Sequence, residues 1–454
     1  MICSSFLMAV FSFAQIEGTW QGNLKVQGIE IPLVFHVKKE AFGFSSQFDS
    51  PKQGAKEISI ESTIFTNNEV TFDASNLGIV YKGKFNSASI DGTFVQNGMN
   101  LPLKLEKIEN YTDQTILKRP QTPNAPYDYP TEEVSFVNPI DDNRLAGTLS
   151  LPKNKKDFPI AILITGSGAQ NRDSEMLEHK PFLIIADDFA KKGIGTLRLD
   201  DRGVGGSTAG SSNDTSENFA GDINAAVDYL LKRGYKNIGL VGHSEGGMIA
   251  QMVAAKNKNI KFVVSMAGPS IPITDLMVLQ NKKINELYGL SDQQIKDDIA
   301  IKKHYFDFMK NYNGNHFEDD AHKNMTDFFS RNTFEMSKDQ QNQLTAALIQ
   351  QTNNSWYKFF MKYDPEIYLR QIKIPFLALN GSLDSQVLPK ENLNKYRQIF
   401  MKNGNKHVKI EELPQLNHLF QISKTGSPQE YESLEESISP IALNSMSNWI
   451  LGLQ

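Results

Sequence analysis

The run Gly242-His243-Ser244-Glu245-Gly246-Gly247 constrains this chain more than any other feature. A short apolar segment, residues 238–241, leads into it, and residues 248–255 continue with helical spacing. A serine with glycine two residues to either side, between strand and helix, describes a very tight turn. Side chains at Gly242 and Gly246 would collide with the neighbouring strand and helix, so residues without Cβ are needed there. Such a turn lifts the serine to the carboxyl edge of a sheet. The amino end of the next helix then faces the site and favours a developing negative charge.

A serine hydroxyl needs a base to take its proton. Where a G-x-S-x-G turn between strand and helix carries the nucleophile, the order along the chain is nucleophile, acid, histidine. Of eight histidines, His407 and His418 fall near the final strand. His407 precedes that strand and lies at the wrong edge of a parallel sheet. His418 follows it, at the edge of Ser244, and is the expected base. His243 adjoins the serine but points away on a sharp turn, and is expected to pack or to support the site from behind. The acid should follow the preceding strand, residues 374–380, and Asp384 in Gly381-Ser382-Leu383-Asp384 meets that condition. Asp364 and Glu366 precede the strand and fall at the opposite edge. Two backbone donors complete an acyl-transfer site: the N–H of Glu245, directly after the nucleophile, and that of Ser167 in Thr165-Gly166-Ser167-Gly168, which follows the apolar strand 160–164.

The chain has 454 residues, enough for more than one folding unit. Residues 17–107 read as all-β, with short alternating runs at 31–37, 58–64, 70–72, 79–85, 90–95 and 101–105. Asn67-Asn68, Asp91-Gly92 and Asn97-Gly98 read as turns between them. Two runs resemble each other, Tyr81-Lys82-Gly83-Lys84-Phe85 and Ile90-Asp91-Gly92-Thr93-Phe94. Strands at this spacing predict a small barrel, and Gly18-Thr19-Trp20 resembles the first strand of lipocalin-like barrels. Trp20 is expected in the core, with ligand contact as the sharper alternative. Residues 108–131 form a proline-rich linker, with Pro120, Pro123, Pro126 and Pro130 close together. Such a segment favours extended chain over packed structure. From residue 132 to 454 strands alternate with helices, predicting a mostly parallel sheet flanked by helices. A strandless stretch at about 271–370, rich in Phe, Met and Tyr, reads as a helical lid.

Further motifs fall in the same order: Gly166-Ser167-Gly168, Asn171-Arg172-Asp173, Lys180-Pro181-Phe182, and Asp201-Arg202-Gly203-Val204-Gly205-Gly206-Ser207. With Gly242 to Gly247 they resemble bacterial α/β-hydrolase carboxylesterases with an extra amino-terminal domain, the EstD-like esterases. The likeness covers roughly residues 132–270 and 371–454. It implies an α/β-hydrolase fold, a helical lid, a Ser244–Asp384–His418 triad and a preference for short acyl esters. Arg172, Asp173, Asp201 and Arg202 are expected to form a salt-bridge network bracing the loops.

The net charge of −5 gives no reason to expect nucleic acid. There are no spaced cysteines, no His-Glu-x-x-His and no phosphate-binding glycine loop, so neither metal nor cofactor is expected. Residues 1–14 are apolar and uncharged and end in Ser12-Phe13-Ala14, which reads as a signal peptide and predicts an exported, periplasmic or secreted protein. No later segment is long and apolar enough for a membrane span. The leading expectation is therefore a serine hydrolase acting on a small-molecule ester. A serine peptidase or acyl thioesterase on the same fold is the enzymatic alternative, and an inactive ligand-binding protein the alternative of another class. The amino-terminal β unit could contact glycan or lipid.

Overall fold

The computed structural model describes residues 16–26, 29–51, 55–96, 99–109, 119–153 and 157–453. The apolar opening 1–14, the pair Asn97-Gly98 and most of the segment 108–118 lie outside the described residues. Two compact units are separated between Leu117 and Lys118.

The first unit is all-β: β1 (Gly18–Val26), β2 (Ile29–Glu40), β3 (Gly43–Ser50), β4 (Ala55–Ser59), β5 (Ser62–Thr66), β6 (Glu69–Ala74), β7 (Ile79–Asn86), β8 (Ser89–Gln96) and β9 (Met99–Ile108). The strands pair in the order β2-β1-β9-β8-β7-β6-β5-β3-β4, and β2 also pairs with β3, which closes the sheet into a barrel. Closure removes the open edges that a small sheet would otherwise expose. Trp20, Phe35, Phe72, Tyr81 and Phe94 are buried in its interior. Trp20 is thus a core residue, its indole N–H donating to the Ile16 carbonyl at 2.7 Å. Asn67 and Asn68 both have positive φ and make the β5–β6 turn. Asp91-Gly92, expected as a turn, lies inside β8. Gly92 pairs with Gly83 of β7, and a Cβ at either glycine would meet the Tyr81 hydroxyl at 2.6 or 2.7 Å. The two similar runs are therefore paired neighbours whose glycines make room for Tyr81, which donates to the carbonyls of Ile90 and Leu103.

The second unit begins with a hairpin, β10 (Thr131–Asn138) and β11 (Asn143–Ser150). It continues through β12 (Ile160–Ile164), α1 (Pro181–Lys192), β13 (Gly195–Leu199), α2 (Ser216–Lys232), β14 (Ile238–His243), α3 (Glu245–Lys256) and β15 (Ile260–Met266). Six helices follow: α4 (Ile273–Leu287), α5 (Asp292–Asn311), α6 (Phe317–Arg331), α7 (Lys338–Thr352), α8 (Ser355–Lys362) and α9 (Pro365–Leu369). The chain ends with β16 (Phe376–Gly381), α10 (Pro389–Asn403), β17 (Val408–Leu413) and α11 (Pro440–Leu451). The sheet order is β10-β11-β13-β12-β14-β15-β16-β17. Pairing is antiparallel up to β13 and parallel from there on. This is an α/β-hydrolase core carrying a helical insertion, preceded by a separate barrel. Strands β12, β14 and β16 are buried throughout or nearly so, as continuous apolar runs covered by helices on both faces must be.

The described part of the proline-rich segment is not a free spacer. Arg119 donates to the carbonyls of Leu177, Glu432 and Leu434, and Gln121 donates to the carbonyl of Ile438. These side-chain bonds fasten it to the second unit, which proline content alone does not reveal. Among the described residues, no helix is long and apolar enough to cross a membrane.

Candidate active site

Parallel strands bring their carboxyl ends to one edge, and three loops meet there. Ser244 sits between β14 and α3 at φ 55 and ψ −119. A residue with a Cβ pays about 1–3 kcal/mol for such a conformation, and it persists only where the surroundings impose it. They do so here. A Cβ at Gly242 would lie 2.1 Å from the Gly246 carbonyl, and one at Gly246 would lie 2.1 Å from the Ile164 carbonyl. The Ser244 N–H donates to the Met266 carbonyl at 2.9 Å, tying the turn to the end of β15.

The second loop follows β16. Gly381 is required because a Cβ there would sit 2.1 Å from the Leu416 carbonyl. That close approach lets Leu383 donate to Leu416 and Ser382 to Leu413, joining the Asp384 loop to the third loop, which carries His418. Asp384 and His418 are both buried, each 3% exposed. The His418 Nδ1–H donates to Asp384 Oδ2 at 2.9 Å, with Oδ1 at 3.1 Å. Asp384 also accepts from the backbone N–H groups of Gln386 and Val387 and from the Asn380 amide. Four donors thus fix the carboxylate, and the imidazole keeps Nε2 as the nitrogen able to receive a proton.

His418 is held from two more sides. The His243 Nε2–H donates to the His418 carbonyl at 2.9 Å, and the two rings lie 4.8 Å apart. Burial, and then the proximity of His418, push the His243 imidazole down to about 4, so this ring is neutral at ordinary pH. On the other side the Asn417 side-chain oxygen accepts from the N–H groups of Leu419 and Gln421. Gln421 in turn donates to the Glu436 carbonyl and contacts His179. Asn417, Gln421 and His179 were not singled out in the sequence. The only signal for them was the placement of Asn417 directly before His418.

Ser244, His418, Gly166 and Ser167 line one cavity of about 480 Å3, together with Trp356, Tyr357 and Phe360 from α8 of the helical insertion. A Cβ at Gly166 would approach the Ser244 Cβ to 3.3 Å, so the glycine-rich loop packs directly against the serine. Glu245 opens α3, which puts its backbone N–H at a helix amino end beside Ser244. Its carboxylate, overlooked in the sequence, is buried and accepts from Ser216 Oγ at 2.6 Å and Trp356 Nε1 at 2.8 Å.

The residues set aside lie elsewhere. The His407 carbonyl accepts from Phe376 at the start of β16. Asp364 caps α9, and Glu366 pairs with Lys395 at 2.6 Å.

The expected salt-bridge network is present with different partners. Arg172 makes a forked pair with Asp200 at 2.7 and 3.0 Å and also reaches Glu133. Asp173 pairs with Arg198. Arg202 joins Asp141, Asp214 and Asp222. Asp201 is not one of these partners; it accepts from Thr165 Oγ1 and the Gln170 N–H at 2.8 and 2.9 Å, bracketing the Gly166–Gly168 loop. Burial pushes its carboxyl up to about 7, with smaller contributions from Glu245 and Asp222. Adjacent residues at a strand end face opposite ways, so Asp200 and not Asp201 turns toward Arg172.

The family model described as alpha/beta hydrolase fold matches residues 161–425. The chain is 24% identical over 328 residues to Esterase EstD of Thermotoga maritima, covering 71% of this chain and 69% of that protein. Among solved structures it is similar to an esterase of Pyrococcus furiosus, at 14% identity and a TM-score of 0.41, over 71% of this chain and 93% of that one. It is also similar to Est1E from Butyrivibrio proteoclasticus, at 17% identity and a TM-score of 0.39, over 71% and 98%. A hypothetical protein from Pseudomonas aeruginosa matches at 18% identity and a TM-score of 0.43, over 76% and 98%.

Proposed function

The chain belongs to the alpha/beta hydrolase fold family, and from that premise we propose that it cleaves carboxylic esters of short acyl chains through an acyl-enzyme on Ser244. One observation carries this reading. A serine held at φ 55 shares a cavity with His418, whose Nδ1 is bonded to Asp384.

In this mechanism Ser244 Oγ attacks the ester carbonyl while His418 Nε2 takes the hydroxyl proton. Asp384 fixes the imidazole tautomer and stabilises the imidazolium that forms. The backbone N–H groups of Glu245 and Ser167 receive the charge that builds on the carbonyl oxygen. His418 then returns its proton to the leaving alkoxide, and the alcohol departs. A water molecule deprotonated by His418 attacks the acyl-Ser244 carbonyl, releasing the carboxylic acid and restoring the serine. The named relative, an esterase, supports ester over amide as the substrate.

The test is a panel of p-nitrophenyl esters of increasing acyl length, run beside peptide p-nitroanilides and acyl thioesters. The proposal expects the acetate and butyrate esters to be turned over fastest. Rapid amide cleavage without ester preference would overturn it in favour of a peptidase.

A further inference from the structure

A second cavity, of about 260 Å3, lies against the first. Gly166 and Trp356 line both, so the indole stands at their boundary. Beyond it the walls are largely apolar: Leu145, Leu163, Leu199, Phe219, Ile223 and Ile249. The charged groups in these walls are already bonded. Glu245 holds Ser216 and Trp356, Asp201 holds Thr165 and Gln170, and Arg202 is surrounded by three aspartates. A hydrocarbon entering here meets no unpaired charge, whereas a polar ligand finds few free partners.

The chemistry of ester cleavage gives the cavity a direction. The leaving alkoxide must lie near His418 to be protonated, and His418 lines the first cavity and not the second. The acyl group projects from the other side of the reacting carbon. Gly166, where a Cβ would lie 3.3 Å from the Ser244 Cβ, lines both cavities, so the second cavity lies beside the serine. Building on the esterase reading, we infer that the second cavity is the acyl subsite for unbranched aliphatic chains, and that Trp356 sets the length of chain it admits. A hydrogen bond and ring contacts hold the indole in place. Its N–H donates to Glu245 Oε1 at 2.8 Å, and its ring stacks on Phe360 at 5.0 Å. With the indole so held, short chains fit and longer ones must displace it.

The test compares kcat/KM for p-nitrophenyl acetate and octanoate in the parent, Trp356→Phe and Trp356→Ala. Methylene groups accommodated in an apolar pocket are each worth about tenfold or more in discrimination. The octanoate-to-acetate ratio is therefore expected to rise at least about tenfold in Trp356→Ala and severalfold in Trp356→Phe. Adding Ile223→Phe to Trp356→Ala refills the cavity and should return the ratio toward the parent value. Trp356→Phe keeps the ring packing and decides the matter if the alanine variant does not fold. An unchanged ratio in variants that still cleave acetate overturns the acyl-subsite assignment and leaves the esterase reading intact. Absence of ester cleavage by the parent removes both.

Discussion

The Nε2–H of His243 donates to the carbonyl of His418 at 2.9 Å, so the residue before the proposed nucleophile holds the backbone of the proposed base. Burial pushes His243 down to about 4, so its ring is neutral at ordinary pH. His243→Phe keeps the ring but removes the donor. We expect kcat for ester cleavage to fall about tenfold, on the order of one lost hydrogen bond, with KM little changed. The pH–rate profile should keep its shape, since His243 does not titrate in the working range. A displaced acidic limb would show that His243 takes part in proton transfer.

Asp384 receives four donors, and one of them is the imidazole. Asp384→Asn retains the shape but favours the wrong imidazole tautomer. Steady-state kinetics should show kcat reduced by about 10³–10⁴-fold. Far-ultraviolet circular dichroism should show the fold retained. A loss below tenfold in a folded variant would argue against this pairing.

Gly246 faces the Ile164 carbonyl at a distance that excludes a Cβ. Gly246→Ala must therefore push β12 and α3 apart. Thermal or urea unfolding should show a loss of roughly 1–3 kcal/mol, the usual cost of overpacking, together with loss of ester cleavage. Parent-like stability and activity would contradict the close approach of Gly246 to β12.

Asp201 provides a pH test. Its folded-state carboxyl is raised to about 7 by burial, while an unfolded aspartate titrates near 3.9. Between these values the unfolded state releases the proton more readily, so stability falls as pH rises from about 4 to about 7. Asp201→Asn removes this contribution while keeping an oxygen for Thr165 or Gln170. The drop in melting temperature from pH 5 to pH 8 should therefore be smaller in the variant than in the parent. An equal drop in both would mean that Asp201 is ionised in the folded protein.

The edge logic of a parallel sheet was legible in the sequence. Strand order and the sense of each strand put Ser244, Asp384 and His418 at one edge and His407, Asp364 and Glu366 away from it, with no knowledge of distances. Other features were not legible, for physical reasons. β3, with Phe44 and Phe48 its only large apolar residues, reads as polar loop until β2 pairs with it. Asp91-Gly92 has turn chemistry, yet Gly92 serves the Tyr81 hydroxyl in mid-strand. The bond from Trp356 to Glu245 joins residues 111 apart in the chain, and no local pattern encodes such a pair. The choice of Asp200 over Asp201 as the partner of Arg172 depended on which way each side chain faces, which composition does not state.

The proposed chemistry requires Ser244 to become acylated. Labelling with a fluorophosphonate probe, followed by mass spectrometry of the digested protein, tests it most directly. One adduct per chain is expected, on the peptide containing Ser244, with no labelling of Ser244→Ala. A Ser244→Ala protein that labels as well as the parent would contradict it.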